Sequence, residues 1–166
     1  MATNENLQEA FAGESQANRK YLAFAKKAAE DGYPQVAKLF RSAAEAETVH
    51  AHAHLNAMDG VQRTVENLHA AIDSEGFEFM EMYPKFLKEA EEEENEPARL
   101  SFKGALAVEE IHHGLYTEAL NTVQSGKDLP EAKMYVCSVC GNTVKDEPPD
   151  ACPVCRSPRE KFFEVQ

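Results

Sequence analysis

At 166 residues, with 43% apolar and 28% charged side chains, the chain has room for one ordinary domain plus a small module, and its composition excludes a disordered or fibrous protein. A formal charge of −12 argues against a nucleic-acid partner, because such binding rests on Lys and Arg neutralising phosphates. No run of about 18 apolar residues offers a membrane span, and residues 1–6 lack the basic and apolar regions of a secretory leader, so a cytoplasmic location is expected.

Four helical stretches are predicted over residues 1–125. The first runs from about Asn4 to Glu30 and stops at Asp31-Gly32. Pro34, suited to a first helical position, opens the second, which runs to Met58 before Asp59-Gly60. Thr64 is the expected N-cap of the third, which reaches about Glu94. Pro97 opens the fourth, and Ser125-Gly126 ends it with Gly at the C-cap. Leu129-Pro130 begins a linker, and beyond Lys133 helical periodicity gives way to Cys, Pro, Val and Phe. The expected division is residues 1–130 and 131–166.

The helical part contains a duplication. Glu5, Asn6, Leu7, Ala10 and Glu14 recur 61 residues on as Glu66, Asn67, Leu68, Ala71 and Glu75. Tyr21, Phe24, Phe40, Glu47 and His50 recur 62 residues on as Tyr83, Phe86, Phe102, Glu109 and His112. One helical hairpin is therefore present twice, with one extra residue between Glu75 and Tyr83. An inserted residue predicts a π-bulge there, and Pro84 predicts a kink near the carbonyl of Met80.

Glu47-x-x-His50 and Glu109-x-x-His112 each place an oxygen and a nitrogen ligand on one helix face. Glu14 and Glu75 supply one carboxylate from each partner helix, completing a two-metal site in a four-helix bundle. Glu47 and Glu109 are the expected bridges, and so carboxylate-rich a site suits iron or manganese. Glu78 is on the face of Glu75 but aligns with Gln16 or Ala17 in the first copy, which makes it an additional ligand that breaks the symmetry. Glu81 is a weaker candidate. Tyr21 and Tyr83 are read either as core aromatics or as phenols that hydrogen-bond the ligand carboxylates. His52, His54, His69 and His113 have no repeat mates and are expected at the surface, although His54, one turn beyond His50, could also support a ligand from behind.

Cys137-x-x-Cys140 and Cys152-x-x-Cys155, eleven residues apart, form two knuckles of a tetrathiolate site rather than disulfides. Four thiolates hold either a structural zinc or a single electron-carrying iron, and their spacing alone does not choose.

Together, Ala12-Gly13-Glu14-Ser15-Gln16-Ala17, Glu47-x-x-His50, Glu75-x-x-Glu78-x-x-Glu81-Met82-Tyr83-Pro84, Glu109-x-x-His112 and the two knuckles resemble the rubrerythrin family over nearly the whole chain. The resemblance implies an all-α, ferritin-like four-helix bundle followed by a small rubredoxin-like metal-knuckle domain. It implies a di-iron site of Glu14, Glu47, Glu75, Glu78, Glu109 and His112, with His50 replacing Glu78 on reduction, and one iron on Cys137, Cys140, Cys152 and Cys155. Zinc is a possible substitute. One departure is Tyr135, where some relatives carry Trp.

The implied activity is a peroxidase that reduces hydrogen peroxide to water. Its electrons come ultimately from NADH through a separate reductase or rubredoxin, since the chain has no Gly-rich nucleotide fingerprint. A ferritin-like ferroxidase that handles iron is the alternative. A duplicated hairpin around one site implies parallel second and third helices in the ferritin-like arrangement. A helix of about 28 residues is roughly 40 Å long, but Asp59-Gly60-Val61-Gln62-Arg63 reaches at most about 18 Å. A domain-swapped homodimer is therefore expected, each site drawing one hairpin from each chain.

Overall fold

Helix-favouring Ala, Leu, Glu and Lys carry most of the first 124 residues into helix. The computed structural model describes residues 2–166, in two compact units that divide between Gln62 and Arg63. Among these residues no helix is long and apolar enough to cross a membrane.

The first unit is a hairpin of α1 (Ala2–Glu30) and α2 (Pro34–Ala57). Gly32 takes the left-handed φ of 85° that ends α1, and the Tyr33 N–H returns 2.8 Å to the Ala28 carbonyl. Ala25, Ala28, Ala37, Ala44 and Ala51 are buried, and such small side chains let two helices approach closely. Asn18 is also buried, but its amide nitrogen donates to the Ala44 carbonyl (2.6 Å) and the Thr48 hydroxyl (2.8 Å). The cost of desolvating that nitrogen is thereby offset.

The second unit opens with α3 (Thr64–Phe77), a π-helical segment (Glu78–Met82) and α4 (Tyr83–Glu92), followed by α5 (Glu96–Gln124). The π segment lies where the repeat gains its residue, and the Tyr83 N–H reaches back five residues to the Glu78 carbonyl. Pro84 sits in the first turn of α4, where a missing N–H is tolerated. Thr64 is not the N-cap. Arg63, extended at φ −67° and ψ 160°, holds that position, and Thr64 is the first helical residue. An Arg63–Glu66 ion pair closes this first turn in place of a hydroxyl cap. The last helix begins one residue before Pro97, capped by Asn95, whose side chain accepts from the Ala98 N–H at 3.2 Å.

The duplication is visible in geometry. Tyr21, Phe24 and Phe40 have ring centroids 6.4, 6.1 and 5.6 Å apart, and Tyr83, Phe86 and Phe102 repeat them at 6.3, 6.2 and 5.5 Å. One repeat position has diverged against its backbone. Glu94, the mate of Gly32, adopts φ 54°, and the Asn95 N–H bonds the Ala90 carbonyl as Tyr33 bonds Ala28. A left-handed residue with a Cβ costs about 1 kcal/mol, so Glu94→Gly is expected to stabilise the protein by up to that amount in denaturant unfolding. An unchanged or lowered midpoint would contradict it.

The C-terminal module is a three-stranded antiparallel sheet in the order β2-β1-β3, from β1 (Met134–Cys137), β2 (Thr143–Lys145) and β3 (Phe162–Val165). It belongs to the second unit, and β2 lies against α5.

Candidate metal centres

Each knuckle is a tight turn closed by a backbone hydrogen bond. The Gly141 N–H bonds the Cys137 carbonyl at 2.8 Å, and the Arg156 N–H bonds the Cys152 carbonyl at 2.9 Å. Both turns need a left-handed residue, supplied by Gly141 (φ 84°) and, less comfortably, Arg156 (φ 64°). The four ligand sulfurs lie within 4.8 Å of one another, with Cys137–Cys155 at 3.7 Å and Cys140–Cys152 at 3.6 Å. Metal–sulfur bonds of about 2.3 Å in a tetrahedron place sulfurs about 3.8 Å apart, so the cage fits an ion of that kind. Burial raises the Cys140 thiol above its usual range. Burial also works to raise Cys155, but hydrogen bonding with the Ser157 side chain and backbone, and then with Cys140 and Cys152, outweighs it and brings that thiol to about 6.

The helices assemble two further clusters. In the first unit Glu14, Glu47 and His50 bring their ligand atoms within 4.8 Å, and in the second Glu75, Glu109 and His112 do the same. Each histidine Nδ1 stands 2.9 Å from the carboxylate one turn before it, His50 from Glu47 and His112 from Glu109. The two are not equivalent. The His50 side chain is 55% exposed, but that of His112 is 28% exposed and has its Nε2 3.0 Å from the Thr143 hydroxyl.

Glu78 stands beside the second cluster and outside its tight triad. It takes a hydrogen bond from Ser74, and burial together with the Glu109 charge raises its carboxyl above the ordinary range. Burial also raises the Tyr83 phenol, followed by the charges of Glu78, Glu109 and Glu75, so the phenol remains protonated. Tyr21 packs in its aromatic triad. Glu81, His52 and His69 are exposed and His54 is half-buried. His113 departs from its expected surface position. It is half-buried, edge-on to Phe79 at 5.2 Å, where it backs the π segment. Thr143 and Ser157 are the contributors that spacing does not reveal, because no helical or knuckle motif includes them.

Glu75 is the most strongly shifted carboxylate of the second cluster. Burial, a shared hydrogen bond with Glu109, and repulsion from Glu109 and Glu78 push its carboxyl up to about 7. The folded metal-free chain thus binds this proton more tightly than the unfolded chain does. The associated stability is full below pH about 4.5 and is lost as pH rises through about 7. A metal ion must displace the same proton. Cobalt(II) affinity at this cluster is expected to rise with pH from 5.5 to 7, by up to about tenfold per unit, and to level off above. A flat titration series would overturn the assignment.

Residues 5–120 match the family profile described as Rubrerythrin, and residues 135–163 match the rubrerythrin rubredoxin-like domain. The chain belongs to the rubrerythrin family. Rubrerythrin-2 of Clostridium acetobutylicum is 34% identical, the match covering 96% of this chain and 95% of that protein. Nigerythrin of Nitratidesulfovibrio vulgaris is also 34% identical, over 97% of this chain and 85% of the relative. A solved structure of nigerythrin in its fully reduced, all-ferrous state superposes with a TM-score of 0.57 at 33% identity, covering 98% of this chain and 86% of that one. Membership fixes the class as a ferritin-like helical fold, with the helices provided by a duplicated hairpin, joined to a rubredoxin-like module with a four-cysteine cage.

Proposed function

We propose that this rubrerythrin-family chain reduces hydrogen peroxide to water with electrons relayed through an Fe(Cys)4 centre. The observation that carries the reading is the coexistence of two matched Glu/Glu/His clusters and one four-thiolate cage in a single chain. Hydrogen peroxide, two electrons and two protons give two waters. Iron held by the carboxylate and histidine clusters would supply the two electrons, and iron held by Cys137, Cys140, Cys152 and Cys155 would supply one-electron relay chemistry.

The chain's own residues have distinct tasks in this reading. Glu47 and Glu109 would be shared between the two ions, Glu14 and Glu75 would each serve one, and His112 would be the fixed nitrogen ligand. Glu78, adjacent to the triad, would be the exchangeable carboxylate, and His50, the more exposed imidazole, would be the ligand able to take its place. Exchanging a carboxylate for a neutral ring matches the lower charge of a reduced pair. The Tyr83 phenol, and by symmetry Tyr21, donates hydrogen bonds that orient the carboxylates.

The working division is residues 1–130 and 131–166, with two irons on the first part and one on the second. Zinc is a substitute. An external rubredoxin or reductase in the cytoplasm supplies electrons drawn from NADH. A domain-swapped homodimer completes each site with Glu14, Glu47 and His50 from one chain and Glu75, Glu78, Glu109 and His112 from the other. The helix connection, residues 58–63, reaches only about 20 Å, and the 24 residues of α2 span about 36 Å. In the first hairpin Phe24, Leu39 and Val49 remain exposed, an apolar surface that a second hairpin would cover.

Metal analysis with an anaerobic peroxide assay tests the reading. A red protein containing iron, with peroxide consumed at the expense of an added electron-donor chain, is the expected result. A colourless protein with zinc in the cage excludes the relay. Iron oxidised by oxygen without peroxide turnover favours a ferroxidase.

A further inference from the structure

His112 has two ring nitrogens, and the structure gives each a different neighbour. Nδ1 is 2.9 Å from Glu109 Oε2, and Nε2 is 3.0 Å from Thr143 Oγ1. The Thr143 hydroxyl is also 3.2 Å from the Gly141 carbonyl oxygen. A carbonyl only accepts, so the one hydroxyl proton goes to Gly141. What Thr143 then offers His112 is a lone pair, which requires a proton on Nε2. That leaves Nδ1, on the side of Glu109 and Glu75, as the ring nitrogen a cation would take.

From this geometry we propose that Thr143 is a positioning residue, locking the tautomer and plane of His112 so that Nδ1 is the metal-binding nitrogen. The lock ties the helical cluster to the first knuckle, because Gly141 directly follows Cys140. It is reinforced on either side. A Cβ at Gly141 would lie 3.6 Å from Val108 of α5, and Lys145 pairs with Glu118 of α5 at 2.5 Å. His50, the repeat mate of His112, is more exposed and is the ligand proposed above to come and go. One imidazole is thus held at both ring nitrogens and the other at Nδ1 alone, and the added clamp is a side chain of the thiolate module.

The inference rests on the metal reading of the Glu75/Glu109/His112 cluster, but its test does not depend on catalysis. Nitrogen-15 NMR of the full-length wild-type protein, metal-free and zinc-loaded, reads the His112 tautomer directly. A protonated Nε2 in both states is expected, and an Nε2 that carries no proton in either state overturns the proposal. Thr143→Val keeps shape and removes the hydroxyl, and Thr143→Ser keeps the hydroxyl and removes the methyl. Zinc affinity at the cluster, measured by chelator competition, should fall about 10- to 100-fold in Thr143→Val and return to within a few-fold of wild type in Thr143→Ser. Equal losses in both variants, or none in Thr143→Val, would assign Thr143 to packing alone. If wild-type protein binds no zinc at the cluster, the metal reading fails, and the metal-free tautomer still decides the role of Thr143.

Discussion

Cys137→Ser or Cys152→Ser is expected to reduce donor-driven peroxide turnover to background while leaving the helices folded. The two residues are 1% and 0% exposed, and each begins a knuckle closed by a backbone bond to its own carbonyl. A serine hydroxyl does not deprotonate near neutral pH and is a poor replacement for a thiolate. The module's strands are only three or four residues long, so its core is too small to hold the sheet without the metal. Circular dichroism should retain the helical signal, and the red colour should be lost. Turnover with a small-molecule reductant that feeds the helical site directly should fall much less. A mutant that keeps wild-type turnover with its protein donor would remove the cage from the electron path.

The second large effect is a gain. Glu14→Ala and Glu109→Ala chains should each be inactive, because in the proposed site the first loses a ligand of one half and the second a carboxylate shared by both ions. Co-refolding them should restore activity if the dimer is swapped. In a mixed dimer one site then receives both intact halves and the other receives both lesions. Random pairing makes half the dimers mixed, each with one good site of two, so recovery should approach about a quarter of wild type. Persistent inactivity, with mixed dimers demonstrated and a wild-type control surviving the same refolding, would show that each site is built from one chain.

Much of this was legible because duplication writes geometry into spacing. The offset of 61 and then 62 residues located the hairpins, paired Glu14 with Glu75 and His50 with His112, and marked where the helix must open into a π turn. The cysteine spacing likewise carried the cage. Helix starts were less legible. Thr64 looked like a cap, but the adjacent Arg63 reaches Glu66 and stabilises the turn by charge. His113 and Thr143 escaped for another reason. Neither contact is local, and the ring of Phe79 and the strand carrying Thr143 meet α5 only after the chain has folded.

The π segment also bears on how such a site can change. One residue added to an ordinary helix turns everything beyond it by about 100°, which would drive an entire buried stripe toward solvent. Here the extra residue is absorbed between Glu78 and Met82, and the aromatic triad beyond it matches its unmodified twin to within about 0.1 Å in every ring separation. The wide turn acts as an expansion joint. A new carboxylate enters beside the cluster while the downstream packing keeps its register, so chemistry can be edited in one half of a duplicated protein without redesigning the scaffold that both halves inherit.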